Sequence, residues 1–121
     1  MASAVPFQYL AHLVTVPVQA GGTEARFVFD IGIGVTLVSR SLAGRVGCRD
    51  DGRDETGHGF TRYFATLPGP VSVTGAPGIC QADPAVMFQK IIYDGLAGHA
   101  FLRNFAVTYD LPHARMIFAA G

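Results

Sequence analysis

Three acidic residues in this chain directly follow apolar or aromatic segments: Asp30 after Phe27-Val28-Phe29, Asp94 after Ile91-Ile92-Tyr93, and Asp110 after Tyr109. The other six of the nine acids lie in polar stretches. A carboxylate set among Phe27, Phe29, Ile31 and Ile33 loses hydration, which disfavours its charged form unless donors or cations compensate. No Lys or Arg stands within the run from Phe27 to Val38. Gly32 and Gly34 let the backbone approach the acid and donate N–H groups to it at a sharp turn. Spacing alone leaves two readings open for Asp30: a functional carboxylate, or a side chain that caps its own turn.

The surrounding pattern is one of strands. Phe7, Tyr9, Leu13, Val14, Val16 and Val18 alternate roughly with polar residues, and Gly21-Gly22 follows, so a strand to Ala20 runs into a hairpin. Ala25–Phe29 reads as a second strand ending at Asp30. Ser39 or Ser41 is placed to cap a short helix through Leu42, Ala43 and Val46, stopped by Gly47. Cys48 to Gly57 is dense in charge and reads as a solvated loop. Gly57-His58-Gly59 suits a hairpin tip, with Phe60, Tyr63 and Phe64 on the returning arm. Further strands are expected at Val71–Val73, Val86–Phe88 and Ile91–Tyr93. Gly95 to Phe105 reads as a turn entering a short helix, and strands at Val107–Leu111 and Arg115–Ala119 close the chain.

Composition narrows the function classes. With 121 residues, one domain spanning 1–121 is expected. Half the residues are apolar, 15% are charged and the net charge is zero, which disfavours nucleic acid or an anionic membrane as partner. The 15 glycines and 7 prolines are dispersed, as many short strands with tight turns require. Cys48 and Cys80 are too few and too far apart for a paired-cysteine zinc site, and the four histidines show no ligand spacing; neither metal nor cofactor is expected. Whether the two thiols pair stays open. No run is long enough to span a bilayer and the N-terminus lacks the pattern of a leader, so a soluble domain of unassigned compartment is expected.

The stretch from Phe27 to Ser39 resembles the catalytic segment of the retropepsins and of the bacterial single-lobe aspartic proteases: an apolar strand, then Asp-Thr/Ser-Gly-Ala/Ser, then a hydroxyl residue three positions on. Gly95-Leu96-Ala97-Gly98 and the residues through Pro112 resemble that family's Gly-Leu-Leu-Gly turn, its short C-terminal helix and the strand after it. Ile91-Ile92-Tyr93 before Asp94 echoes Phe27-Val28-Phe29 before Asp30, like the family's internal pseudo-symmetry. The glycine-tipped hairpin falls between the two motifs, where the family carries its flap, so the likeness covers nearly the whole chain.

The resemblance implies an all-β single lobe, a closed β-barrel or sandwich with a flap hairpin and one short C-terminal helix. It implies an aspartic endopeptidase acting on peptide or protein substrates as a homodimer, with Asp30 of each copy forming a catalytic dyad. Ile31, Gly32 and Ile33 then form the active-site loop, and Gly95 and Gly98 are structural turn residues. Gly57, His58, Gly59 and Phe60 belong to the flap over substrate, Phe60 having an ordinary core aromatic as its alternative. The terminal strands, around Pro6 to Leu10 and Met116 to Ala119, are implied at the dimer interface. Ile31 stands where the family has Thr or Ser, replacing a directional hydroxyl network by apolar contact, and Ile33 replaces a small residue, which crowds the nearest substrate pockets. His99 and Ala100 replace a residue followed by Asp or Asn. These departures keep three alternatives: a catalytically weakened or inactive peptide-binding or dimerisation module, one lobe of a larger two-lobed protease, and a small β-barrel binding an apolar ligand.

Overall fold

Alternating apolar residues make most of this chain extended, and glycines decide where it folds back. The computed structural model describes residues 2–10, 13–30, 32–46, 63–82 and 84–120. Its strands are β1 (Ala2–Pro6), β2 (Gln8–Leu10), β3 (Leu13–Ala20), β4 (Thr23–Phe29), β5 (Thr36–Ser39), β6 (Tyr63–Thr66), β7 (Val71–Val73), β8 (Ala76–Gln81), β9 (Ala85–Gln89) and β10 (Gly95–Ala97). Helix α1 (His99–Leu102) follows, then β11 (Phe105–Asp110) and β12 (Arg115–Ala120). The fold is all-β, built from two sheets. A nine-stranded sheet runs in the order β6-β9-β5-β10-β4-β3-β7-β8, with β2 also paired to β3, and curls into a half-barrel. A three-stranded sheet, β1-β12-β11, lies against it.

The central hairpin of the large sheet follows directly from its residues. In β3 the side chains of Val16, Val18 and Ala20 turn inward in alternation and are buried. Gly21 and Gly22 both have positive φ, 58° and 78°, which gives the turn the twist that antiparallel strands need. A side chain at Gly21 would also meet the Val46 backbone, its Cβ falling 2.6 Å from the carbonyl oxygen. Pro17 cannot donate to a ladder, yet it sits where β2 pairing has ended at Thr15 and β7 pairing begins at Val18. Its carbonyl accepts the Thr74 N–H at 3.0 Å, a normal bond length.

Four elements differ from the sequence expectation. The strand expected from Phe7 to Ala20 is two, β2 and β3, folded on each other with Tyr9 opposite Val14. Ile91–Tyr93 forms no strand, and Ile92 is 91% exposed. Strand β8 occurs despite Pro77 and Gly78, because the Thr74-Gly75 turn returns it along β7. The expected helix after Ser39 is one 3-10 turn, Arg40–Leu42, extended by turns to Val46. Ser39 Oγ pairs with Ser41 Oγ at 2.9 Å and caps no backbone N–H, so the first turn lacks the anchor a longer helix needs.

Phe29, Phe101, Phe105 and Phe118 join the two sheets through edge-on and tilted ring contacts, with Phe29 and Phe101 centroids 5.3 Å apart. Such offset aromatic pairs add specificity to the area they bury. At the far end of the small sheet, Asp110 accepts from His113 Nδ1 at 3.0 Å and from Arg115 Nε at 2.7 Å across the β11–β12 turn. The His113 bond first, then the Arg115 bond, holds the Asp110 carboxyl below its ordinary value of 3.8. A carboxyl whose folded pKa is depressed stabilises the protein above its unfolded pKa, and that contribution is lost as pH falls through the folded value. Asp110→Asn is therefore expected to lower the melting temperature at neutral pH and to melt alongside the parent protein in strong acid, as circular dichroism melts across pH would record. Among the described residues no helix is long and apolar enough to cross a membrane.

Candidate active site around Asp30

Asp30 stands at the C-terminal end of β4, a strand with neighbours on both sides: β3 antiparallel and β10 parallel. Its backbone N–H donates to the Ala97 carbonyl at 2.9 Å, so the acid is fixed to the end of β10 before any side-chain contact is considered. The chain then turns tightly, the Ile33 N–H reaching the Asp30 carbonyl at 3.3 Å and the Gly32 N–H reaching Asp30 Oδ1 at 2.9 Å. That second bond is an aspartate capping its own turn, one of the two roles its sequence context left open. The side chain is half-buried. Ile31, within this turn, lies outside the described residues.

The carbonyls beyond the turn have a second use. Helix α1 begins at His99 with Gly98 as a cap that offers no side chain, so its first N–H groups need other acceptors. The Ile33 carbonyl accepts from His99 N–H at 2.7 Å and the Gly34 carbonyl from Ala100 N–H at 3.0 Å. This interlock requires the backbones to touch: a Cβ at Gly98 would overlap the Ile33 carbonyl oxygen and lie 2.8 Å from its carbon. Gly95 opens β10 instead of forming a turn, and a Cβ there would stand 2.5 Å from the Phe27 ring. The sequence-derived glycines thus meet the Asp30 loop through β10 and the start of α1. Gly57, His58, Gly59 and Phe60 lie outside the described residues.

The internal echo is located differently than the sequence suggests. The segment lying in register beside Phe27-Val28-Phe29 is Gly95-Leu96-Ala97, not Ile91-Ile92-Tyr93. Small residues at both ends of β10 allow the close approach that the bulkier segment would prevent.

The other two acids that follow apolar segments, Asp94 and Asp110, have structural partners. Asp94 accepts the Arg26 backbone N–H on Oδ2 at 2.9 Å, and its carbonyl accepts the Ser39 N–H at 2.8 Å. Asp110 is committed to His113 and Arg115. Among the described residues Asp30 has no cationic partner and only one hydrogen bond on its carboxylate, from Gly32.

The fold matches the crystal structure of a retropepsin-like aspartic protease from Rickettsia conorii with a TM-score of 0.67 at 14% identity, covering 98% of this chain and 88% of that one. It also matches the retroviral protease-like domain of Ddi1 from Leishmania major, with a TM-score of 0.56 at 18% identity, over 93% of this chain and 94% of that chain. The chain has a retropepsin-like fold. No family model matches its sequence, and no curated protein matches it. At these identities the retropepsin-like likeness is one of fold.

One residue of this region escaped the sequence reading. Tyr109, on β11, is half-buried, and burial followed by the nearby Asp30 carboxylate raises its phenol pKa. Nothing along the chain links position 109 to position 30. The only available signal was the alternation of Phe105, Val107 and Tyr109, which puts all three on one face of a strand.

Proposed function

We propose that this chain is one subunit of an aspartic endopeptidase, its active site completed when Asp30 meets Asp30 of a second copy. The observation that carries this reading is the state of Asp30 in a retropepsin-like fold. Its backbone is anchored at the junction of β4, β10 and α1, while its carboxylate makes one backbone bond and is otherwise uncommitted among the described residues. Acids retained for structure, as Asp94 and Asp110 are here, make bonds between separate segments. A two-fold interface sets identical residues face to face, so one acid per chain is sufficient for a dyad.

Two close carboxylates share a proton, which sets the chemistry. The ionised carboxylate takes a proton from water as the water oxygen bonds to the peptide carbonyl carbon, and the protonated one donates to the carbonyl oxygen. The resulting gem-diol collapses as its hydroxyl proton is withdrawn and the nitrogen is protonated, breaking the C–N bond. Exposed Val35, just after the loop, and exposed Tyr9, on the strand beside β3, are apolar surfaces suited to cover by a partner subunit or a peptide. The segment Gly57–Phe60 is assigned by its sequence to close over that peptide.

A second reading is favoured by the Gly32 N–H bond to Oδ1: Asp30 serves as a turn cap in a dimerising or peptide-binding module without turnover. Incubating the chain with a peptide library from acid to neutral pH, with sedimentation in parallel, separates the two. Cleavage by a dimer is expected. A dimer that binds peptides without cutting them supports the second reading, and a persistent inactive monomer means that the other lobe comes from elsewhere.

A further inference from the structure

Strand β10 is three residues long, Gly95-Leu96-Ala97, yet it joins two neighbours, β4 by parallel and β5 by antiparallel pairing. Glycine and alanine give it little side chain with which to fix its register, and Gly-rich strands are prone to slip. Its two ends are held differently. At the C-terminal end the Ala97 carbonyl accepts the Asp30 N–H at 2.9 Å. At the N-terminal end the ladder with β4 begins at Gly95 opposite Phe27, so Arg26 lies one residue outside it. Exposed Asp94 supplies the acceptor there, its Oδ2 taking the Arg26 N–H at 2.9 Å where a longer strand would offer a carbonyl. Arg26 and Asp30 are four residues apart along extended chain, so both N–H groups point to the β10 side. The Asp94 carbonyl meanwhile accepts the Ser39 N–H at 2.8 Å, and one residue thereby ties the start of β10 to both of its neighbours. The contact with Arg26 is made to its backbone; the guanidinium instead donates to Thr15 Oγ1 at 3.0 Å.

We propose that Asp94 is a positioning residue for Asp30: its carboxylate pins β10 to β4 in the register that sets the Ala97 carbonyl against the Asp30 N–H. A hydrogen bond from an amide to a carboxylate is stronger than the neutral ladder bond it replaces. A slip of β10 by one residue would turn Ala97 to the opposite face and take its carbonyl from Asp30. It would also move Gly98 out of the place where it fits against the Ile33 carbonyl. The role in turnover rests on the aspartic-dyad reading; the fixing of the register does not.

The test combines nuclear magnetic resonance with kinetics on the intact chain. Asp94→Ala is expected to shift the Asp30 backbone amide resonance and to speed its hydrogen exchange about tenfold. Asp94→Asn, which keeps an acceptor oxygen, is expected to hold both near the parent values, as is Ile92→Ala, a change at a residue 91% exposed in the same segment. If the Asp30 amide is unmoved in Asp94→Ala, the proposal is overturned whether or not the protein cleaves peptides. Should that variant not fold, the parent protein decides: on acidification its Arg26 amide proton is expected to shift with the midpoint of the Asp94 side-chain carboxyl, and an amide indifferent to that titration overturns the contact. If the amide results hold and the parent cuts no peptide, the register role stands and the protease reading falls. Where cleavage is present, Asp94→Ala is expected to lower kcat about tenfold with KM unchanged, and Asp94→Asn to restore it, as a displaced catalytic group requires. An unchanged kcat in Asp94→Ala overturns the role in turnover.

Discussion

Asp30→Asn is expected to abolish peptide hydrolysis while leaving the fold intact, lowering kcat by roughly three orders of magnitude or more. Asparagine keeps the shape of the side chain, and its Oδ1 still accepts the Gly32 N–H that closes the turn. It cannot cycle a proton, so a dyad containing it neither activates water nor protonates the carbonyl. Initial rates on a cleaved peptide, beside melting curves and sedimentation of both proteins, check this. Unaltered cleavage by the variant would sink the assignment, since no other described acid has an uncommitted carboxylate in this region.

Gly98→Ala is expected to produce the largest loss of stability among conservative changes near the site, about 3 kcal/mol, through overpacking against backbone that cannot yield. The added methyl would occupy the place of the Ile33 carbonyl oxygen, which accepts the His99 N–H. Relief requires the Asp30 loop and the start of α1 to separate, giving up the bonds to His99 and Ala100 together. A fall in melting temperature of roughly 10 °C corresponds to that cost. Gly44→Ala is the control, because a Cβ there meets nothing within 4 Å. Equal melting of the two variants would show that the interlock tolerates a side chain.

Much of the site region was legible because its constraints are local. A buried-looking strand ending in Asp-X-Gly announces a turn at an acid, and the turn is there with its Gly32 bond. Gly21-Gly22 likewise announced a hairpin whose torsions only glycine adopts freely. What failed depended on partners distant in sequence. Ile91–Tyr93 has better strand residues than Gly95–Ala97, yet β10 forms at the latter because a narrow strand is what fits between β4 and β5. Strand β8 was hidden by Pro77 and Gly78, whose effect on a ladder depends on which edge they face. Tyr109 was invisible for the same reason, since its relation to Asp30 is made by the packing of one sheet on another.

The parallel pairing of Phe27–Phe29 with Gly95–Ala97 bears on the order of events during synthesis. A growing chain emerges N-terminus first, and non-local parallel contacts are among the slowest to form. Asp30 therefore leaves the ribosome long before the segment that will anchor its amide exists. On the proposed endopeptidase reading, a chain assembled this way is silent while it and its neighbours are unfolded and most easily cut, and it can act only after Gly95–Ala97 has been made.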